Sequence, residues 1–314
     1  MNNHIDFKIS KEEFISNFAD REMYIVRGAV SPSLLNWTDL DSALYYIDPV
    51  APHVRVHKNG LVSEACYVED CSVGGVPRKR LNTSAVQDLL SDGATVVLNR
   101  IDARLERIRH LCAEVAKFTN AETLANGYLA FSGRGSFGPH WDTHDVMAIQ
   151  LIGRKRWKVY KPTFHFPISG QTSKEHKADC PNEPVFDGVL EAGDLLYLPR
   201  GWWHDAVPIG ETFHVAIGMY TATVLHYVAW LCQNSLLKHE ELRQSLRPEC
   251  DLEQAIVAAG KVLEKQLNDP KQLALFMEEL KRASVKPHQP FSLESLVTSV
   301  CTPELEPIVP QEAS

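Results

Sequence analysis

The chain has 314 residues, and its 32 Lys and Arg against 40 Asp and Glu leave a formal net charge of −8. With 44% hydrophobic and 23% charged residues, it has the balance of a folded globular protein, long enough for one large domain or two smaller ones, and not of a disordered or fibrous chain. The acidic balance speaks against generic binding to a nucleic-acid backbone, and no apolar run approaches the roughly 20 residues of a membrane span.

The opening MNNHIDFKISKEEF lacks the apolar core of a signal peptide. Seven cysteines, at 66, 71, 112, 180, 232, 250 and 301, contain no C-x-x-C pair, which argues against a disulfide framework or a thiolate zinc site. Reduced thiols and a cytoplasmic location are the expectation.

In chain order, EEFISNFA reads as a short helix and MYIVRGAV as the strand after it. SPSLLNWTDLDSALYYID has the entry chemistry of a second helix. VRVHKNGLVSEACYVE reads as strand and turn, with Asn59-Gly60 as a hairpin turn. SAVQDLLSDG and IDARLERIRHLCAEVAKFT read as two amphipathic helices. In the second, Leu105, Ile108, Leu111, Cys112, Val115 and Phe118 recur at steps of three and four. From Asn126 to Tyr220 short apolar runs alternate with Gly and Pro: NGYLAFSG, VMAIQLIG, RWKVYKP, GDLLYLPRG and FHVAIGMY. That pattern predicts a β-sandwich or barrel. After Thr221 the period is helical again, through TVLHYVAWLCQNSLLKHEELRQSL, DLEQAIVAAGKVLEKQL and KQLALFMEELKRA, before a polar, Pro-containing tail. No internal repeat is visible.

The chemistry concentrates in GPHWDTHD (residues 138–145 with the preceding loop) and GDLLYLPRGWWHDAVP. Alternate residues of a strand share a face, so His140 and Asp142 point the same way and can reach one metal ion. His204, after the Pro199-Arg200-Gly201 turn, supplies a third ligand. Two histidines and a carboxylate on one face of an octahedron leave three positions open, the arrangement of non-haem Fe(II) oxygenases. His144 has the same parity, but three alternate residues of one strand span roughly 13 Å, too far for one ion. It is expected near the entrance or exposed.

NGYLAFSGRGSFGPHWDTHDVMAIQLIGRKRWKVYKP followed by GDLLYLPRGWWHDAV resembles the JmjC-type Fe(II)/2-oxoglutarate oxygenases of the cupin superfamily, and most the ribosomal-oxygenase branch that hydroxylates protein side chains. The resemblance is strong over about 124–220 and looser before it. It implies a mainly β fold with α elements, a double-stranded β-helix (jelly-roll, cupin) core. The expected division is N-terminal α/β elements at 1–123, the core at 124–222, a helical region at 223–284 and a tail at 285–314. It implies Fe(II), 2-oxoglutarate and O2 as cofactors, with His140, Asp142 and His204 as metal and catalytic residues. The family's keto-acid lysine falls on Lys155, and its Asn-x-Tyr pair on Asn126 and Tyr128.

These positions also make physical sense. Lys155 alternates with Trp157 and Val159 on a mostly apolar face, whereas Arg156 alternates with Lys158; a lysine on an apolar face needs an anionic partner or an escape to solvent. Asn126 and Tyr128 share a strand face and offer an amide and a phenol. The chain departs from the family pattern at Ala216 and Gly218, where small hydroxyl residues are usual. His214 reads as a satisfied core histidine. Trp202 and Trp203 either line the substrate mouth or pack. Residues 163–184 read as an active-site lid or an exposed loop.

Three classes of function follow: a hydroxylase of a protein or peptide side chain, a ribosomal protein among the candidates; a hydroxylase of a small metabolite or biosynthetic peptide; and a metal-binding cupin without oxygenase activity. The 31 residues after Ala283 are too few for the winged helix of ribosomal oxygenases, and histone-type demethylation is disfavoured because no reader module accompanies the core. Homodimerisation through the C-terminal helices is expected, and direct nucleic-acid or membrane binding is not.

Overall fold

The computed structural model describes residues 3–50, 52–131, 135–249 and 251–283. Its contacts divide the chain into two units, Met1–Ala229 and Trp230–Ser314.

The first unit begins with α1 (Lys11–Asn17), capped by the Ser10 side chain, then β1 (Tyr24–Val26) and α2 (Trp37–Tyr45), where Asn36 and Asp39 form a reciprocal capping box. β2 (Val54–His57) follows. Asn59 and Gly60 do form a turn, both with positive φ, but it closes a single His57–Leu61 bridge and not a hairpin. The true hairpin is β3 (Val68–Val73) with β4 (Val76–Leu81), turning at Gly74-Gly75 and forming its own two-stranded sheet.

The two helices expected over 85–120 are α3 (Thr83–Ser91) and α4 (Glu106–Thr119). Between them lies a strand that periodicity does not reveal, β5 (Thr95–Leu98), four consecutive buried residues too short to show alternation.

The remaining strands are β6 (Glu122–Ala130), β7 (Asp145–Tyr160), β8 (Phe186–Glu191), β9 (Leu195–Leu198) and β10 (Trp203–Tyr220). They join the N-terminal strands in one antiparallel system ordered β1-β9-β7-β10-β6-β5-β2, with β8 on β7. VMAIQLIG and RWKVYKP, expected as two strands, are one. Gly153 sits at φ 67°, where an added Cβ would collide with the Glu211 carbonyl, and β10 shifts register opposite it between Ile209 and Phe213. The bend lets the first half of β7 pair with β9 and the second with β8. One strand thereby serves both layers of a double-stranded β-helix.

Alternation sorts the side chains between two clusters. Val54, Val56, Val96, Leu98, Met147, Ile149, Phe213 and Val215 pack with Phe14, Ile108, Leu111 and Val115 of the helices. On the opposite face Val146, Ala148, Trp157, Val159, Leu196 and Leu198 form a second cluster, and the polar site lies on that face.

The second unit holds the end of α5 (Val224–Asn234), α6 (Leu252–Leu267) and α7 (Pro270–Ala283). The helix expected to run on through Leu246 stops at Asn234 and gives way to two 3-10 turns. Buried Ser235 there hydrogen-bonds Gln266 Oε1 at 2.5 Å, a tertiary contact that overrides helical periodicity. The tail expected at 285–314 lies outside the described residues. No described helix is long and apolar enough to cross a membrane.

Candidate active site

His140, Asp142 and His204 come together, with one ligand atom from each lying within 4.8 Å of the others. The positioning differs in one respect from the strand expected over 140–144. Pairing stops at His140, whose N–H and C=O exchange hydrogen bonds with those of His204 at 3.0 and 2.8 Å, and the chain then bends. Asp142 is held by its own carbonyl, which accepts from Gly201 N–H at 3.0 Å, so the Pro-Arg-Gly turn orients two of the three groups.

The ring tautomers follow from their partners. His140 Nδ1 lies 2.9 Å from the Gly138 carbonyl and His204 Nδ1 lies 3.1 Å from the Trp202 carbonyl. A carbonyl only accepts, so each Nδ1 carries hydrogen, and in the neutral ring Nε2 is then the nitrogen with a lone pair to give a metal. His204 Nε2 lies 3.6 Å from Asp142 Oδ2. Burial, then His140, pushes the His204 imidazole down to about 4. Burial works to raise Asp142, but His204, His140 and His144 together hold it below the ordinary carboxylate range. Two imidazoles and one carboxylate are a donor set suited to a divalent cation.

His144 stays outside this set. It stacks on Tyr220 at 4.9 Å and rests against Gly218, where an added Cβ would lie 2.8 Å from His144 Cδ2. The missing side chain at 218 thus makes room for an imidazole.

Lys155 is 3% exposed although its charge is formally free. Its face is the apolar one expected, beside buried Trp157 and Val159, while Arg156 pairs outward with Asp187. Lys155 Nζ lies 2.8 Å from His214 Nδ1, and burial pushes the amine down to about 7. His214 in turn stacks on Tyr128 with ring centres 4.8 Å apart. His214 is therefore no ordinary core histidine: it lines the same cavity as Lys155, Tyr128, His140, Asp142 and His204. Parity alone could not separate a core wall from a cavity wall.

Tyr128 lines the cavity and Asn126 does not. Asn126 hydrogen-bonds the Tyr128 side chain and accepts from Arg100 N–H at 3.1 Å. Ala216 lines the wall as a plain methyl.

Sequence reasoning missed Thr95 on β5, whose hydroxyl lies 2.8 Å from that of Ser136, and Phe137, which sits 6.0 Å from His140 and 6.1 Å from Tyr128. Trp202 and Trp203 pack: Trp203 is fully buried and donates to Thr163 Oγ1, and Lys161 lies over Trp202. Within 163–184, Ser173–Asp179 forms a 3-10 turn whose His176 rests against Phe164 and Trp141. Cys66, Cys71, Cys112, Cys180 and Cys232 are free thiols.

Comparison with known proteins matches this part of the chain. Residues 97–227 match the family model of the JmjC domain. Over 147 residues the chain is 34% identical to the bifunctional lysine-specific demethylase and histidyl-hydroxylase NO66 of Drosophila mojavensis, covering 46% of this chain and 17% of that one. The NO66 of Drosophila melanogaster is 32% identical over the same length, with 22% of its chain covered. The chain thus spans about a fifth of these relatives.

Among solved structures, the Escherichia coli ribosomal oxygenase YcfD superposes with a TM-score of 0.58 at 15% identity, over 95% of this chain and 79% of that one. Its complex with cobalt and 2-oxoglutarate gives 0.57 at 16%, over 94% and 78%. Residues 97–227 thus resemble JmjC domains in sequence, and the chain shares its double-stranded β-helix fold with YcfD.

Proposed function

We propose that the chain is an Fe(II)- and 2-oxoglutarate-dependent dioxygenase that hydroxylates an amino-acid side chain of a protein or peptide. The observation that carries this reading is the conjunction of the His140, Asp142 and His204 donor set with a buried Lys155 that has no ion-pair partner among the described residues, in one cavity. A buried amine without a counter-ion is costly unless an anion arrives. The donor set fits Fe(II), and Lys155 fits the distal carboxylate of a keto acid.

When bound, iron and the keto acid would supply oxidative decarboxylation with O2 as the oxidant, one oxygen atom going to succinate and the other to a C–H bond that becomes C–OH, with release of CO2. The chain's own residues bind and orient. His140, Asp142 and His204 hold the metal through atoms already aimed at it, and Lys155 anchors the acid. Tyr128, fixed by Asn126, borders it. Trp157, Val146 and Leu198 add apolar surface to the cavity lining, which strengthens each polar contact inside.

The names of the relatives support a protein substrate: NO66 is a histidyl-hydroxylase and YcfD a ribosomal oxygenase. A net charge of −8 suits a basic partner such as a ribosomal protein. The sequence boundaries of core (124–222) and helical region (223–284) belong to this reading, as do a cytoplasmic location and homodimerisation.

The test of the substrate class is mass spectrometry of proteins and peptides from cells with and without the chain. The reading expects a side chain that carries +16 Da only when the chain is present. A modification confined to small metabolites would replace it with the metabolite alternative.

A further inference from the structure

The cavity holds one basic group that the mechanism above does not use. His214 is 5% exposed, stacked on Tyr128 and edge-on to Trp157 at 5.5 Å. Its polar contact is the Lys155 amine, 2.8 Å from Nδ1. In its charged form, the one an anionic ligand requires, the Lys155 ammonium has only hydrogens to give, so Nδ1 accepts and the imidazole hydrogen sits on Nε2. A core histidine that served packing alone would be expected to bond a carbonyl or carboxylate; this one is spent on a buried cation.

The other wall positions nearby, Ala206, Pro208 and Ala216, offer no side-chain acceptor to orient the amine. Lys155 is a four-carbon stem with three rotatable donors. An acceptor at a fixed point takes one donor and aims the remaining two.

We propose that His214 is the positioning residue for Lys155, accepting one Nζ–H through Nδ1 so that the ammonium group selects keto acids carrying a second carboxylate. This rests on the keto-acid reading of the cavity and deepens it. Lys155 is buried, so a misaimed ammonium has no water to turn to, and a fixed acceptor matters more than it would at the surface.

Calorimetry under anaerobic conditions on the full chain loaded with Mn(II) tests it, with 2-oxoglutarate and 2-oxobutanoate as probes that differ by one carboxylate. The wild type is expected to favour 2-oxoglutarate. Asparagine places an oxygen where Nδ1 stands, glutamine one where Nε2 stands, and leucine neither. His214→Leu should lose roughly tenfold in 2-oxoglutarate affinity, as for a hydrogen bond to a charged group, with 2-oxobutanoate little changed. His214→Asn should restore most of the preference and His214→Gln should not.

Undiminished preference in His214→Leu would overturn the inference, and so would rescue by Gln in place of Asn. Mn(II) affinity of each variant reports folding of the metal end. If the leucine variant fails to fold, the Asn and Gln pair decides alone. A wild type that binds Mn(II) but neither acid sinks the keto-acid reading itself, and the inference with it.

Discussion

Asp142 and Lys155 make opposite demands on the fold. Asp142 is stabilised as an anion by His204, His140 and His144 around it, and Asp142→Ala should reduce Mn(II) affinity by more than the roughly 10–100-fold typical of losing an outer hydrogen-bond partner, measured by calorimetry. Lys155 is destabilised: burial takes it from 10.5 to about 7. The unfolded chain therefore binds a proton that the folded chain lacks between about pH 7 and 10.5, and stability rises with pH across that window. Lys155→Met should make the metal-free protein more stable at pH 7, by up to about 4 kcal/mol, and abolish this rise in denaturant titrations. It should also lose 2-oxoglutarate binding, the usual opposition of stability and function.

The same lysine gives the cosubstrate a pH dependence. A dianion prefers charged Lys155, which in the free protein loses its proton above about pH 7. The groups facing it are His214 from β10, uncharged and pushed well down by burial, and Tyr128 from β6, a phenol raised by burial far beyond that range. Affinity for 2-oxoglutarate should thus be flat below pH 7 and fall up to about tenfold per pH unit above it. In a Lys155→Arg variant that fall should vanish.

At the scale of elements, the bend in β7 and β10 places the metal end and the lysine end on one curved strand pair. Gly153→Val, with a forbidden Cβ and a strained φ, should cost about 2 kcal/mol or more in chemical denaturation. The elements that carry the polar motifs were legible in the sequence because their signals are local. H-x-D, the Pro-Arg-Gly turn before His204, and the alternation around Lys155 each lie within a few residues. What was not legible depends on distant partners. β5 is four apolar residues recognisable as a strand only through pairing with β2 and β6. The fused β7 needs Glu211 to explain its glycine. His214 and His144 look alike to any periodicity, and only the fold assigns one to Lys155 and the other to the space above Gly218.

At the scale of the whole molecule, the described helices of the second unit leave apolar surface uncovered by other described residues. Leu252, Ile256, Leu263 and Leu267 of α6 are 37–58% exposed and recur at steps of four and seven, a single stripe along the helix. This is the surface on which the proposed homodimer depends. Light scattering should return a dimer for the wild type and a monomer for an Ile256→Glu, Leu263→Glu double variant, with the Mn(II) affinity of the first unit unchanged.

The resemblance to JmjC domains, the donor set and the buried lysine converge on the proposed reaction, and its cosubstrate reports it without knowledge of the target. Fe(II)-loaded chain, supplied with 2-oxoglutarate and O2 and followed by NMR, is predicted to convert the acid to succinate in the wild type and to fail in Asp142→Ala and Lys155→Ala. A wild type that retains iron yet neither binds nor consumes 2-oxoglutarate would contradict the assignment and leave a metal-binding cupin in its place.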